Sequence, residues 1–412
     1  MKGKASAVFG ISAAPGHRID LDPARALLEK ERRGRFVSDR RKVEGGTLVV
    51  GGLAHSASEM IMHGCIDAEL NGAGGVETAL DNGVSGEFAF ASLQEGCVLA
   101  ARDPLGAKPL YMGTAAGLAV VSTEPSVIRG YSMQPSPAGP GDVIKMERGG
   151  LVSKRYCGDL VGEPFEGDLE RSSRAVGELL KASLRTRIGE AGAVGVAFSG
   201  GLDSSLLALF ASAKHRVLLV SVFAGGSKDS SSVSKAADEM GLELLKVRVG
   251  MIEVEGASHA ALDSGTSWSR MDKALSAGFY LASSGAREQG MELLLAGQGA
   301  DEIFGGYHRH LRLASHEPGR LNSQLVDELP RLEVGLRRDE RAIARGGCEA
   351  SFPYADFPLA RFALSLPSDH LISGGIRKVV LRRLAEKSGL PASIVNAEKK
   401  AFQYSSGIQA LL

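Results

Sequence analysis

A chain of mixed α/β and α+β character is what this sequence predicts. An antiparallel sandwich of short strands covers residues 1–160, and a parallel sheet flanked by helices, with a helical C-terminal part, covers residues 168–412. Two observations predict this division. Before residue 156, short apolar runs at 47–50, 86–91, 98–101 and 118–121 alternate with glycine turns, and only 22–32 and 75–80 offer helical candidates. After it, an amphipathic stretch at 169–187 leads into unbroken apolar runs at 193–198, 217–223 and 243–249, with a helical segment at 231–240. Residues 157–168 between the two regions mix glycines, a proline and acids, the composition of a linker.

Length and charge bound the function classes. At 412 residues the chain exceeds one ordinary domain. Lys plus Arg and Asp plus Glu both total 48, so no global field recruits nucleic acid or an anionic membrane. No apolar run approaches the roughly 20 residues of a membrane span. No signal peptide is visible, and a cytoplasmic protein is expected. Cys65, Cys97, Cys157 and Cys348 are scattered with no C-x-x-C pair, which predicts reduced structural thiols.

The chemistry concentrates where the first apolar run of the second region ends. Phe198 closes that run, Ser199, Gly200 and Gly201 turn the chain, and Ser204 and Ser205 open a helical segment. Strand, glycine turn and helix N-terminus form an anion cradle, because unpaired N–H groups and the positive end of the helix dipole converge where glycines admit phosphate oxygens. The serine hydroxyls add neutral donors. Asp203 is a carboxylate beside a phosphate site, repulsive unless a cation lies between them, and is therefore read as a Mg²⁺ ligand.

The pattern S-G-G-x-D-S-S, lacking the lysine of a Walker loop, resembles the pyrophosphate-binding loop of the ATP pyrophosphatases, which split ATP into AMP and pyrophosphate. A second resemblance narrows the family. G-E-F-A-F at 86–90, A-R-D-P-L-G-A-K-P-L-Y at 101–111, S-T-E at 122–124 and P-G-D-V at 140–143 look like the glutaminase domain of glutamine-hydrolysing asparagine synthetases, an Ntn-type fold. Such glutaminases use a cysteine directly after the initiator methionine, whereas position 2 is Lys2. The N-G-E segment is not intact either, with Cys65 and Asp67 near Asn71 and Gly72. The expectation is a glutaminase fold that has lost glutamine hydrolysis.

The second region continues the resemblance. By it, Val222 and Phe223 line an adenine pocket. A further apolar run ends at Ala296 and Gly297, and G-Q-G-A-D-E-I-F-G-G-Y at 297–307 is very close to the family motif, with Gln298 where glutamate is usual. The turn is expected to deliver Asp301 and Glu302 to the sheet edge of Asp203, two carboxylates for bridging Mg²⁺, with Gly299 beside them on the substrate side. The basic segment at 308–312 is read as a solvated helix face. Arg338, Asp339, Glu340 and Arg341 resemble R-x-D-R, which puts Asp339 on the substrate side. Glu349 matches the glutamate that takes the proton from ammonium, and Ser351 replaces an arginine in the same motif. Lys378 and Arg382 match K-x-x-L-R, and Lys399 matches the terminal lysine, with Lys400 its alternative.

The resemblance implies ATP and Mg²⁺ as cofactors and an amide-forming, AMP-producing ligase. Its substrates are a carboxylic amino acid, aspartate first, and ammonia. Glu349, Lys378 and Lys399 are the implied catalytic residues; Asp203 and Asp301 hold metal; Ser199 to Ser205, Ala296 and Gly297 hold the nucleotide. Nitrogen would come from free ammonia, a separate glutaminase, or an amine on the acid itself, as in β-lactam synthetases. The family also implies a homodimer, although no interface signal stands in the sequence. A nucleotide-binding relative that no longer catalyses is the remaining reading.

Overall fold

The computed structural model describes residues 3–17, 19–31, 36–43, 46–54, 60–66, 84–94, 96–155, 160–225, 230–262, 268–397 and 407–412. Lys2, Asn71, Gly72, Cys157, Lys399, Lys400 and the helical candidate at 75–80 lie outside them. The chain divides into two compact units, Met1–Gly158 and Asp159–Leu412.

The first unit is built on β1 (Gly3–Ala13), β2 (Phe36–Val43), β3 (Gly46–Ala54), β4 (Met60–Ile66), β5 (Gly86–Gln94), β6 (Cys97–Arg102), β7 (Tyr111–Ala115), β8 (Leu118–Ser122), β9 (Ser136–Pro137), β10 (Asp142–Glu147) and β11 (Gly150–Arg155). Its main path runs β11-β10-β6-β5-β4-β1-β8-β7-β9, with β2 and β3 joined to β1. Every pairing is antiparallel except that of β1 with β4. Side chains alternate along β1: Val8 enters one apolar cluster, and Ala7, Phe9, Ile11 and Ala13 enter a second. Helices Asp22–Glu31 and Pro125–Gly130 close the second through Ala24, Val127 and Ile128.

The motif that carried the glutaminase resemblance is a closed knot. The Arg102 guanidinium donates to the carbonyls of Lys108 at 2.7 Å, Ala138 at 2.6 Å and Gly106 at 2.8 Å. Asp103 accepts from the backbone N–H groups of Leu105, Ala107 and Lys108 at 3.2, 2.8 and 2.9 Å. Lys108 pairs with Glu87 at 3.7 Å, both wholly enclosed. These charges organise a turn.

The second unit begins with helix Leu169–Ile188, capped by the Asp168 carboxylate, which accepts from Arg171 N at 2.8 Å. Its sheet comprises β12 (Ala193–Ala197), β13 (Arg216–Ala224), β14 (Glu243–Val249), β15 (Leu293–Leu295) and β16 (Glu349–Ser351), all parallel, in the order β14-β13-β12-β15-β16. The chain steps outward from β12 to β14 and returns on the other side at β15. That reversal opens a crevice at the carboxyl ends of β12 and β15, where an open parallel sheet receives ligands. Buried valines and leucines fill the strands, as expected of a sheet covered on both faces. A hairpin of β17 (Ile372–Ser373) and β18 (Ile376–Arg377) turns at Gly374 and Gly375, both left-handed, before helix Val379–Lys387. Among the described residues no helix is long and apolar enough to cross a membrane.

Candidate functional site

A cavity of about 760 Å³ lies at this crevice, walled entirely by the second unit. Its floor is the turn after β12. Phe198 N–H still donates to Val220 O at 2.8 Å, so the strand holds its neighbour to the last residue before the turn. Gly200 then takes φ of +72°, a conformation only glycine adopts without strain. Helix Leu202–Ser212 starts at once, with Gly201 as its N-cap. It therefore begins two residues earlier than the serines indicated, which places Asp203 in its first turn. Ser204 Oγ ties the turn together, within 3.3 Å of Ser199 N and Gly201 O and 3.2 Å of Ser199 Oγ. Ser205, one residue on, is wholly buried and off the cavity wall, so its hydroxyl is not a phosphate donor here.

Three charged side chains from distant segments meet above this turn. Lys378 Nζ lies 2.7 Å from both carboxylate oxygens of Asp203 and 2.7 Å from Asp301 Oδ1. Lys378 is 6% exposed, while Asp203 and Asp301 retain 23% and 18% and so reach the cavity. Burial pulls the Lys378 ammonium below the usual lysine range, against the opposing pull of Asp203. Its backbone is left-handed, φ 56° and ψ 43°, a strained setting for lysine. The surroundings hold it there. Arg377 donates to Gly306 O at 2.8 Å, and Arg382 donates to Arg377 O at 3.0 Å, Ala397 O at 3.3 Å and Val395 O.

Gly306 permits the approach of the cluster. A Cβ there would stand 1.9 Å from Asp301 Oδ1 and 2.4 Å from Lys378 Cε, so any side chain would force the two apart. Tyr354 OH donates to Asp203 O at 3.1 Å and steadies the helix start. Among the described residues no group of three or more His, Cys, Asp or Glu gathers as an all-protein metal cage. Two part-exposed carboxylates instead suit Mg²⁺, which is commonly held by one or two carboxylates together with phosphate oxygens and water.

One side of the cavity is apolar, formed by Val220, Val222, Leu275, Phe279 and Ala282. Val222 is on that wall and Phe223 is not. Another part of the wall carries charge. Arg309 grips Glu328 through Nε at 2.9 and 3.1 Å and through a shorter Nη2 contact, while His310 Nε2 and Gln324 Nε2 reach the same carboxylate at 3.0 Å each. Burial tends to raise the Glu328 pKa, yet these donors outweigh it and hold it at about 2. The segment read as a solvated basic face is exposed at His308, Arg309 and Arg312, and the reading is corrected at His310. Arg309, though part-exposed, also lines the cavity and pairs with Glu328 of helix Leu321–Gly346, and His310 is wholly buried with its Nε2 on the same carboxylate.

Of the remaining expected residues, Phe198, Ser199, Gly200, Gly201, Ala296, Gly297, Gly299, Asp301 and Glu302 all face the cavity. Asp339 does not. It sits one layer behind, accepting from Gln298 Nε2 and, at 2.7 Å, from Arg338 Nε, so it positions the wall instead of touching a substrate. Glu349 is likewise absent from the wall. It opens β16 in register with Leu293, while Ser351 at the other end of the strand bonds Ala296 N at 2.9 Å. Two residues of strand, about 7 Å, separate Glu349 from the cavity end of the sheet. Arg309, Glu328, Arg331, Arg338, Arg377 and Arg382 line the cavity although sequence reasoning gave them no role. Arg382 stood inside the quoted K-x-x-L-R pattern, and Glu328 and Arg331 follow helical spacing; both were available signals.

With this geometry in place, comparison with known proteins is informative. The asparagine synthase family model matches residues 175–335 and 331–411, more than half of the chain. The chain belongs to that family. A glutamine amidotransferase domain model matches residues 53–129 within the first unit. The chain is similar to a candidate glutamine-hydrolysing asparagine synthetase of Methanocaldococcus jannaschii, 29% identical over 60% of this chain and 52% of that protein. It is also similar to the glutamine-hydrolysing asparagine synthetase of Homo sapiens, 29% identical over 86% of this chain and 68% of the relative. Asparagine synthetase B of Escherichia coli is 26% identical over 79% of this chain and 61% of its own length. The chain thus spans about half to two thirds of the curated relatives it matches.

Proposed function

We propose that the second unit is an ATP-dependent, AMP-forming carbon–nitrogen ligase. It activates a substrate carboxylate, with L-aspartate the first acid to test, as an acyl-adenylate, releases pyrophosphate and accepts ammonia at the acyl carbon. The observation that carries this reading is the Lys378 ammonium set between Asp203 and Asp301 above a glycine turn and a helix N-terminus.

In the first step the carboxylate oxygen attacks the α-phosphorus and the bond to the β-phosphate oxygen breaks. Negative charge accumulates on the departing pyrophosphate. The Ser199 hydroxyl, the N–H groups at the turn and the Lys378 ammonium are the fixed donors positioned to receive it. Asp203 and Asp301 would hold Mg²⁺, which would supply further charge neutralisation there. The apolar side at Val222 and Phe279 suits a flat base. Lys399 is proposed, on its motif alone, as a second cation on the phosphates.

In the second step ammonia attacks the acyl carbon and AMP leaves. Glu349, set back from the wall, is assigned no proton in that step. For the nitrogen we propose free ammonia or a separate glutaminase. Cys97 is buried in β6 and Cys65 lies inside β4, so neither thiol has the free α-amine that such glutaminases use as base.

The test uses the full chain with ATP, MgCl₂ and L-aspartate. AMP, pyrophosphate and amide should appear with ammonium and not with glutamine. ADP and phosphate as products would overturn the reading. Pyrophosphate release without any ammonium dependence would favour closure by an amine within the acid.

A further inference from the structure

Resting on that reading, we infer that Arg331 and the open position at Gly335 set the acceptor specificity of this ligase. They select an amino dicarboxylic acid with a longer chain than aspartate, whose non-reacting carboxylate is held by the Arg331 guanidinium.

The inference starts from charge accounting in the cavity. Each of its other basic side chains already has a partner within the protein. Lys378 is held by two aspartates, Arg309 by Glu328, Arg338 by Asp272 and Asp339, Lys235 by Glu239, and Arg377 and Arg382 by backbone carbonyls. Arg331 lines the same cavity and has no ion pair or hydrogen bond among the described residues. Glu328, one helical turn before it, is already saturated by Arg309, His310 and Gln324. Arg331 is exposed, so its planar fork is open both to solvent and to an anionic ligand in the cavity, and a carboxylate is the group that matches it.

The space comes from the same helix. Arg331, Leu332, Gly335 and Leu336 follow i, i+1, i+4, i+5 spacing and all face the cavity. A Cβ built on Gly335 would meet nothing within 4 Å, so glycine leaves open volume in the middle of this wall instead of answering a tight contact. Glycine in a helix interior is disfavoured by about 1 kcal/mol relative to alanine, and no packing here requires it. An apolar floor of Leu332 and Leu336 beside that gap accommodates methylenes, with the guanidinium at hand for a distal carboxylate.

Gln298 adds a second selective contact. The amide nitrogen of Gln298 donates to the Asp339 carboxylate, which leaves its amide oxygen as an acceptor. Gln298 lines the cavity, so that oxygen suits the ammonium of an amino acid.

The experiment measures pyrophosphate release by the full chain with L-aspartate, L-glutamate and L-2-aminoadipate, in wild type, Arg331→Ala, Arg331→Lys and Gly335→Leu. ATP affinity and thermal midpoint are recorded in parallel. Wild type should prefer one of the longer acids. Arg331→Ala should raise KM for that acid about tenfold or more, the effect of losing a charged hydrogen bond. Arg331→Lys should recover part of the loss, with ATP affinity unchanged in both. Gly335→Leu should suppress the longer acids more than aspartate while leaving or raising the thermal midpoint, since leucine is the better helix former. Equal KM in wild type and Arg331→Ala, a parallel loss of ATP affinity, or a wild-type preference for aspartate would each overturn the inference alone. Failure of wild type to release pyrophosphate with any of the three acids would overturn the ligase reading and this inference with it.

Discussion

Two buried lysines, one in each unit, carry opposite lessons about the motifs that surround them. Lys108 and Glu87 are enclosed, and beside them Arg102 and Asp103 spend their hydrogen bonds on backbone groups of their own turn. Lys378 is nearly as buried, yet both of its carboxylate partners reach a cavity and its backbone is held in a strained conformation. The first arrangement is complete without a ligand. The second places charge where a ligand's charge would come. Burial of an ion pair alone therefore does not mark a functional site; exposure of the partners to a shared volume does.

Breaking the closed knot should give the largest effect on folding. Asp103→Ala leaves three buried N–H groups without their acceptor and removes the negative charge beside Arg102, and should cost about 3–5 kcal/mol, read as a loss of hydrogen-exchange protection in β6. Lys378→Met should lower pyrophosphate release about 10²–10³-fold while the fluorescence unfolding midpoint of the second unit, reported by Trp268, stays near wild type. If Lys378→Met instead unfolds the unit, or Asp103→Ala leaves β6 protected, the contrast fails. Gly306→Ala should be milder, roughly tenfold in rate, because its Cβ parts Asp301 from Lys378 without removing either charge.

Two pH profiles sharpen the contrast further. Burial depresses the Lys378 pKa, so its folded form holds fewer protons than the unfolded chain between the two values. Stability from this group rises with pH across that window, whereas activity, which needs the ammonium, falls as pH rises through the lowered pKa. The alkaline limb of the rate profile should thus begin below the range of an exposed lysine, and Asp203→Asn, which removes the opposing pull, should move it lower still. An alkaline limb that is the same in both proteins would separate Lys378 from the rate. Glu328 gives the smallest effect, with the same sign of stability slope but in the acid range. Held at about 2, it contributes stability above the unfolded carboxylate range that is lost as pH falls toward that value, and Glu328→Gln should flatten urea stability over that acid span.

The sequence disclosed strands, the switch of architecture and the glycine turn, because period, apolar runs and punctuation are local properties. It also disclosed that Asp203, Asp301 and Lys378 belong to one chemistry, through motif order. It could not disclose that Lys378 stands between the two aspartates, since that depends on a hairpin turn at Gly374 and Gly375 and on room left by Gly306. For Glu349 the motif gave a position along a strand but not which end of that strand meets the cavity. His310 read as solvent-facing while its partner, Glu328, lay on another helix. The roles of buried acids such as Asp339 follow from what they touch, and periodicity does not report touch.

Oxygen tracing tests most directly whether this cavity activates a carboxylate through AMP. The full chain is incubated with ATP, MgCl₂, ammonium and the preferred acid labelled with ¹⁸O in its side-chain carboxylate, and the AMP is weighed by mass spectrometry. One labelled oxygen in the AMP phosphate, equal in amount to the amide formed, is the predicted result. Unlabelled AMP, or label recovered in inorganic phosphate, would contradict it.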